Sequence, residues 1–286
     1  MKVAVTGASG FVGRHVLGAL SQLHDVELVA TSRFGPNSGT APRDLRHVPL
    51  DLANPPADAF ERLGRPDTLI HLAWGGLPNY SSPHHFETEL PRHYGFLRGL
   101  VDAGLRSLLV TGTCYEYGMR CGELDESLPA QPANAYAFAK ESLRRQLEFL
   151  QSEAGFALTW ARLFYMYGEG QAPSSLYPQL MAAIARGDAA FRMSGGEQLR
   201  DYLPVGEVAA HLSALATRHP GSGIVNVCSG RPVSVRNLVE GLMRESRVEL
   251  ALELGAYPYP DYEPMAFWGS AKRLTQLGAR PRVTCD

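Results

Sequence analysis

The chain has 286 residues, of which 45% are hydrophobic and 20% charged, and its formal net charge at pH 7 is -2. A chain of this length can bury a full core, its charge balance excludes routine binding to nucleic acid, and its apolar runs are shorter than the ~18 residues that a membrane span requires. Its four cysteines, Cys114, Cys121, Cys228 and Cys285, form no C-x-x-C pair and have no histidine at metal-ligand spacing, so we expect no bound metal, no disulfide framework and a cytoplasmic location.

The first predicted strand runs directly into a glycine-rich turn and then a helix. Residues 3–5 form the apolar run typical of a central parallel strand. Gly7 permits a tight turn, Gly10 lets a pyrophosphate approach the backbone, and Gly13 lets the helix pack closely on the strand. The helix would present its unpaired N–H groups and the positive end of its dipole to that phosphate. The turn therefore predicts a dinucleotide site formed by Gly7, Ser9, Gly10, Phe11, Val12 and Gly13.

The end of the second predicted strand, 26–30, is where the adenosine ribose of such a cofactor lies. A carboxylate there would hydrogen-bond the ribose 2′-hydroxyl, whereas an arginine accommodates a 2′-phosphate. The chain has Ser32 and Arg33 at this place without an acid nearby, and Arg14 directly follows the glycine turn. The less favoured alternative is that both arginines are solvated surface charges. We favour NADP(H) over NAD(H).

Two further strands are predicted at 47–52 and 67–73, and with the helices between them they indicate an α/β protein with right-handed crossovers. Their ends add four predicted cofactor residues, namely Asp51, Leu52, Leu72 and Ala73. We interpret His71 as a packed strand residue and the pair His84 and His85 as solvated.

The fifth predicted strand ends at Thr113, and a later helix carries Tyr136 and Lys140. Residues at positions i and i+4 lie on one face of a helix, so these two side chains can share one space. An ammonium group beside the phenol would lower the tyrosine pKa from its usual ~10 toward the range of an acid–base catalyst. The alternative is a surface tyrosine beside a surface lysine, but the glycine turn and Thr113 favour catalysis.

These motifs resemble those of the extended short-chain dehydrogenases/reductases that modify nucleotide sugars. The matching stretches are 6–13, 71–73, 113–118, 136–140, 162–168, 200–205 and 226–230. The resemblance implies a Rossmann-type doubly wound parallel sheet with a smaller C-terminal substrate lobe, in an NAD(P)-dependent oxidoreductase that forms a homodimer. It also implies that Thr113 hydrogen-bonds the reacting oxygen, that Tyr136 transfers the proton, and that Lys140 holds the nicotinamide ribose.

The same resemblance implies which residues bind a nucleotide-sugar substrate. In such relatives an arginine at the place of Arg200 meets the diphosphate, which suits the bidentate geometry of a guanidinium. Tyr165 stands where many relatives have an asparagine that holds the nucleotide, and Tyr115 either helps to position the sugar or packs in the wall. Arg273 is a second candidate for a phosphate contact.

The residues after Thr113 separate the reactions within this family. The 4,6-dehydratases have an Asp-Glu pair there, whereas this chain has Cys114 and Tyr115. Some epimerase-reductases place a reactive cysteine two residues after the threonine rather than one, so we interpret Cys114 as a packing residue. The favoured reaction is NADPH-dependent reduction of the C4 keto group of a nucleoside-diphosphate 4-keto-6-deoxyhexose. A 4-epimerase with tightly bound NAD and a non-catalytic dinucleotide-sensing protein are the alternatives.

The predicted domains alternate along the chain. Residues 1–164 and 197–230 form the dinucleotide-binding domain, and residues 165–196 and 231–286 form the substrate lobe. A stretch rich in proline and tyrosine, 257–264, has no regular pattern and is placed over the substrate.

Overall fold

The computed structural model describes residues 1–33 and 45–278. Its strands are β1 (Lys2–Thr6), β2 (Glu27–Ser32), β3 (Arg46–Pro49), β4 (Thr68–His71), β5 (Ser107–Thr113), β6 (Gly122–Leu124), β7 (Ala157–Leu163), β8 (Tyr165–Tyr167), β9 (Ala190–Arg192), β10 (Leu199–Pro204), β11 (Gly223–Val227), β12 (Pro232–Ser234), β13 (Ala251–Glu253) and β14 (Phe267–Gly269). Its α-helices are α1 (Phe11–Ser21), α2 (Ala59–Arg62), α3 (Leu90–Asp102), α4 (Ala135–Ala154), α5 (Leu176–Arg186), α6 (Val205–Arg218), α7 (Val235–Glu245) and α8 (Lys272–Gln276). A π-helical turn covers His85–Glu89, and a 3-10 turn covers Cys114–Tyr117.

A seven-stranded parallel sheet lies at the centre, in the order β3-β2-β1-β4-β5-β7-β11. The chain adds strands in one direction from β1 to β3 and in the other from β4 to β11. The order therefore reverses between β1 and β4, whose last residues Thr6 and His71 are paired. Sheets of this kind bind ligands beyond the carboxyl ends of the strands at such a reversal. The predicted Rossmann-type doubly wound sheet is confirmed.

Helices cover both faces of this sheet because each presents an apolar stripe. Val3 and Val5 of β1 point to one apolar cluster, which includes Val16 and Leu20 of α1 and extends to α6. Ala4 points to the other, which joins α3 and α4. The alternation of side chains along a strand places these clusters on opposite faces, so β1 is covered twice, as its apolar run predicts.

A third apolar cluster lies apart from the large sheet. Leu180 of α5, Phe191 of β9 and Val239 of α7 are buried together in it. Nearby, β10 pairs with β8 and β12 in a separate three-stranded sheet. Because β8 directly follows β7, this smaller sheet begins at the carboxyl-terminal edge of the large sheet, where β5 also ends.

The third strand is shorter than the sequence predicts. It ends at Pro49 rather than at position 52, because Asp51 begins a turn in which its carboxylate accepts the N–H of Ala53 at 3.0 Å and its carbonyl accepts that of Asn54 at 3.2 Å. Within residues 1–33 and 45–278, no helix combines the length and apolar character that a membrane crossing needs. The end of the predicted substrate lobe, 279–286, and with it Cys285, lies outside the described residues.

Candidate active site

In the turn between β1 and α1, the positions of Gly7 and Gly13 do not accommodate a side chain. Gly7 has a φ of +69°, and a Cβ on it would lie 2.8 Å from the backbone nitrogen of Ala73. A Cβ on Gly13 would overlap the carbonyl oxygen of Gly7. Gly10 precedes α1 and, having no side chain, cannot cap the N–H groups of the first turn. Those groups remain available to an anion, as the sequence predicts.

Two cavities adjoin at this turn. The first encloses about 470 Å³ and is lined by the predicted cofactor residues Gly7, Ser9, Gly10, Ser32, Arg33, Asp51, Leu52, Leu72 and Ala73. The second encloses about 460 Å³ and is lined by the predicted residues Phe11, Val12, Leu72, Thr113, Tyr115, Tyr136, Lys140 and Tyr165. Leu72 and Trp74 line both cavities. The structure thus brings the predicted catalytic residues, and all the predicted cofactor residues except Gly13, around two adjoining spaces.

The far end of the first cavity contains the residues that were predicted to recognise the adenosine. The Ser32 hydroxyl lies 2.9 Å from Nε2 of His47, and Arg33 lines the cavity directly after β2. The guanidinium of Arg14, in contrast, lies against Gly170. Of the two arginines, Arg33 is therefore the one that lines the first cavity.

Thr113, Tyr136 and Lys140 come together in the second cavity. Thr113 ends β5, and the other two lie one turn apart at the start of α4. Asn134 fixes this start, because its side chain accepts the N–H of Ala137 at 2.9 Å. All three predicted catalytic side chains are buried.

The ionisation of this pair differs from the sequence-based expectation. Burial raises the pKa of Tyr136, and the nearby negative charge of Glu116 raises it further. Burial also lowers the pKa of Lys140 to about 7. The ammonium lies 4.3 Å from the centre of the Trp74 ring, in a cation–π contact. The predicted lowering of the Tyr136 pKa is therefore wrong, because withdrawal from water disfavours the charged forms of both groups.

The turn after Thr113 is held by a buried carboxylate that the sequence analysis missed. The Thr113 N–H donates to Oε1 of Glu116 at 2.8 Å, and the Thr113 hydroxyl accepts the N–H of Tyr115 at 3.3 Å. Oε2 of Glu116 accepts the Nε–H of Arg162 at 2.7 Å and that of the Trp160 indole at 3.1 Å. The Thr-x-x-Glu spacing of a capping box was the signal for this contact. It fixes the backbone of the turn at Thr113, which lines the second cavity.

The predicted substrate residues Tyr115, Tyr165 and Arg200 meet at one carboxylate. Nη2 of Arg200 donates to Oε1 of Glu263 at 2.8 Å, and 2% and 9% of the two side chains are exposed. Oε2 accepts the hydroxyl of Tyr165 and lies 3.3 Å from that of Tyr115. The sequence offered no signal for Glu263, which lies in a stretch without a regular pattern.

Arg273 is the predicted substrate residue that the structure does not bring to the site. It lies on α8, and its guanidinium donates to the carbonyl of Ser222, next to the first residue of β11. That is the amino-terminal edge of the parallel sheet, whereas both cavities lie at the carboxyl-terminal edge. This position gives no support to its predicted phosphate contact.

Buried histidines form a second feature that the sequence analysis missed. Nδ1 of His71 lies 2.8 Å from the Thr6 hydroxyl, and Nε2 lies 2.7 Å from Nδ1 of His93. Nε2 of His93 lies 3.2 Å from Oε2 of Glu89, which also accepts the N–H of Gly75 at 2.8 Å. Burial lowers the pKa of both histidines, and the hydrogen bond from His93 helps to lower the pKa of Glu89 to about 2. His71 is packed, as predicted, but through hydrogen bonds.

Trp74 lies between this chain of side chains and Lys140. Its ring is stacked on His93 with the ring centres 4.6 Å apart, and its indole N–H donates to Nδ1 of His85 at 3.1 Å. His85 is fully buried, so the prediction of a solvated His84 and His85 pair is wrong for His85. Trp74 therefore links His93, in the wall of the first cavity, to Lys140 on α4.

Cys114 agrees with its interpretation as a packing residue. Its thiol is buried with Tyr117 and Phe164, and burial raises its pKa. A thiol that stays protonated is a poor nucleophile, so the structure gives no support to a reactive cysteine here.

The chain matches a known family and several known proteins along most of its length. The model of the "NAD dependent epimerase/dehydratase family" matches residues 3–228. The chain is 28% identical to dTDP-6-deoxy-L-talose 4-dehydrogenase (NAD(+)) of Aggregatibacter actinomycetemcomitans, over 94% of this chain and 100% of that protein. It is 29% identical to dTDP-6-deoxy-L-talose 4-dehydrogenase (NAD(P)(+)) of Kitasatospora kifunensis, over 91% and 83% respectively.

A solved structure shares the fold. The UDP-N-acetylglucosamine 4-epimerase of Methanobrevibacter ruminantium M1, in complex with UDP-N-acetylmuramic acid, superposes with a TM-score of 0.84 at 21% identity, covering 99% of this chain and 93% of the epimerase. The chain therefore belongs to the NAD dependent epimerase/dehydratase family and is an NAD(P)-dependent oxidoreductase of the extended short-chain dehydrogenase/reductase type, as its motifs predict.

Proposed function

We propose that the protein uses NADPH to reduce the C4 keto group of a nucleoside-diphosphate 4-keto-6-deoxyhexose in deoxysugar biosynthesis. The observation that carries this proposal is that Thr113, Tyr136 and Lys140 line a cavity that shares Leu72 and Trp74 with the cavity at the glycine turn. The turn fits a dinucleotide, because Gly7 and Gly10 line the first cavity and no side chain caps the N–H groups at the start of α1. Bound NADPH would supply a hydride there.

The ionisation of the site supports the reductive direction. The raised pKa of Tyr136 keeps its phenol protonated at neutral pH, so it can donate a proton to the alkoxide that forms at C4. Thr113 lines the same cavity as Tyr136, and its O–H would donate to the same oxygen. Lys140, with a pKa of about 7, would hold the ribose hydroxyls and regain its charge as it leaves the Trp74 ring for these polar partners.

The substrate class rests on the second cavity and on the relatives. We propose that Tyr115 and Tyr165 contact the sugar nucleotide and that Arg200 binds its diphosphate. Two relatives are named for dTDP-6-deoxy-L-talose. A third, from Pseudomonas aeruginosa, is named GDP-6-deoxy-D-mannose reductase. A 6-deoxyhexose is thus common to the three names, whereas the particular sugar and the nucleotide differ.

The decisive experiment mixes the protein with NADPH and each of the 4-keto-6-deoxyhexose derivatives of dTDP, CDP, GDP and UDP. We expect absorbance at 340 nm to fall with one of them, and we expect Tyr136→Phe to abolish the decrease. Tyr177→Phe is the matched control, because Tyr177 lies on α5, outside the residues that line either cavity. Normal turnover by Tyr136→Phe would contradict the assigned role. NAD that co-purifies, without net oxidation of added cofactor, would instead support a 4-epimerase.

We further propose that NADP(H) is preferred, on the ground that Arg33 lines the cofactor cavity at the end of β2. The relative from Aggregatibacter is named for NAD(+), so a preference for NADP(H) would distinguish this chain from that relative and would depend on residues such as Arg33. Fluorescence titration should show tighter binding of NADPH than of NADH. Arg33→Gln should weaken NADPH by about tenfold, the loss of one charge-assisted contact, and leave NADH unchanged. Equal affinities in the unaltered protein would contradict the preference.

A homodimer, the predicted two-domain division and a reducing cytoplasmic setting also remain proposals. Phe138 and Phe149 are exposed on one face of α4, and Phe86 contacts Phe138, so this face offers apolar area to a second copy. The separate cluster of α5, α7 and β9 supports a distinct substrate lobe. Cys114, Cys121 and Cys228 are free thiols, which fits a reducing compartment. A dimer by light scattering that Phe149→Arg converts to a monomer would support the first proposal.

A further inference from the structure

The carboxylate of Glu263 holds the position on Arg200 that a substrate anion would need. Nη2 of Arg200 donates to Glu263, and Nη1 donates to the carbonyls of Leu199 at 2.9 Å and Met265 at 3.0 Å. Only 2% of the Arg200 side chain is exposed, and its guanidinium lies 4.6 Å from the centre of the Phe267 ring. A diphosphate can therefore reach this guanidinium only in place of the carboxylate.

Glu263 belongs to a segment that side chains hold in position. We call residues 257–264 the strap. The residues on either side of the strap are fixed by backbone hydrogen bonds: the N–H of Ala256 donates to the carbonyl of Met193, and the carbonyl of Met265 accepts the N–H of Leu199. The strap itself forms no backbone–backbone hydrogen bond to other described residues. The strap is held instead by Tyr259, whose hydroxyl donates to Glu197, and by Glu263.

Little apolar area holds the strap to the body of the protein. Tyr257, Tyr259 and Tyr262 are 51%, 37% and 47% exposed. Tyr262 contacts Tyr80, with the ring centres 6.1 Å apart. A segment with few buried apolar contacts and few backbone hydrogen bonds opens at a low free-energy cost.

We propose that Glu263 is a resident competitor of the substrate diphosphate and thereby sets which ligands the site accepts. In the free protein the strap supplies the buried Arg200 with a negative partner, because a buried charge without one is strongly destabilising. A diphosphate carries more negative charge than one carboxylate, so it can replace Glu263 and keep Arg200 paired. A sugar without a diphosphate cannot do so, and the strap then excludes it. This inference rests on the proposed nucleotide-sugar substrate.

The test is calorimetric titration of the protein with dTDP, UDP, CDP and GDP. If the strap is closed in about nine-tenths of the molecules, it reduces the apparent affinity about tenfold. We therefore expect Glu263→Gln to bind its preferred nucleoside diphosphate about tenfold more tightly than the unaltered protein. Asp261→Asn is the matched control, because it removes the same charge from an exposed position two residues away. We expect its affinity to stay within about twofold, as is usual for an exposed charge.

Tyr259→Phe provides a second route that leaves the pair of Arg200 and Glu263 intact. It removes the hydroxyl that anchors the strap to Glu197, so the closed state is less populated and binding should tighten by a smaller factor. This variant decides the question if Glu263→Gln fails to fold.

The outcomes separate the two proposals. Unchanged or weaker binding by Glu263→Gln, while the unaltered protein binds a nucleoside diphosphate, would overturn the competitor role and leave the substrate class intact. Failure of the unaltered protein and of both strap variants to bind any of the four nucleotides would contradict both the strap and the proposed substrate class.

Discussion

Glu116→Gln removes one negative charge beside the proposed catalytic residues and leaves the volume of the side chain almost unchanged. The carboxylate is fully buried, and Arg162, with a side chain only 1% exposed, depends on it through a 2.7 Å hydrogen bond. Arg162 retains a second carboxylate, because its Nη2 lies 3.6 Å from Oε2 of Glu141. The glutamine oxygen can still accept the N–H of Thr113. The glutamine NH2 group, in the place of Oε2, would face the Nε–H of Arg162, so the change adds a contact between two donors to the loss of the charge and leaves the buried guanidinium with one distant partner.

The expected cost is about 3 kcal/mol in the free energy of unfolding, the lower end of the range for breaking a buried ion pair, because the Glu141 contact remains. For a chain of this size that corresponds to a fall in Tm of roughly 6 to 12 °C. Urea unfolding followed by circular dichroism measures it. The control is Glu148→Gln, which removes a carboxylate that pairs with Arg144 but is 47% exposed, and which should cost no more than about 1 kcal/mol.

The double variant Glu116→Gln, Arg162→Met tests the cause. When both charges are absent, no ion is left buried without its partner, so the double variant should lose less than the sum of the two single variants. A loss for Glu116→Gln as small as that of the control, or strict additivity in the double variant, would refute the view that this pair fixes the turn at Thr113.

Gly13→Ala would place a methyl group on the carbonyl of Gly7 and should destabilise the protein by about 1 to 3 kcal/mol and weaken NADPH binding in a fluorescence titration. Wild-type affinity would contradict the tight turn. Glu89→Gln should cost stability at neutral pH and progressively less below pH 4.5, because the folded pKa of Glu89, about 2, lies below the usual value, so its contribution is complete above the unfolded pKa and disappears as the pH falls toward 2. Urea midpoints measured from pH 7 to pH 3 check this, and a constant difference would count against it. Arg273→Ala should leave KM for the sugar nucleotide unchanged, since its guanidinium donates to Ser222 at the opposite edge of the sheet. A tenfold increase in KM would contradict the conclusion that Arg273 lies away from the substrate, at the amino-terminal edge of the sheet.

The parts of the site that the sequence predicts are those whose chemistry is local. Gly7 and Gly13 are required by a φ value and by a backbone contact within a few residues of each other. Tyr136 and Lys140 share a helix face because of their spacing alone. Such features depend on backbone geometry, which a short stretch of sequence specifies, and the structure places them as expected.

The parts that the sequence does not predict depend on contacts between distant segments. Glu263 reaches Arg200 across 63 positions of the chain, and His93 reaches His71 across 22. The pKa of Tyr136 was expected to fall because only its helical neighbour Lys140 was visible in the sequence. Burial by other elements determines its direction instead. Desolvation is a property of the assembled core, so it cannot be derived from the spacing of two residues.

The central claim is that a hydride is delivered to C4 of a keto sugar beside Thr113, Tyr136 and Lys140. The most direct measurement is a turnover with NADPH that carries deuterium in place of both hydrogens at C4 of its nicotinamide, followed by mass and NMR analysis of the sugar nucleotide. The proposed reaction predicts a product one mass unit heavier, with the deuterium bound at C4 of the hexose. A reduced product with no deuterium, or with deuterium at any other carbon, would contradict it.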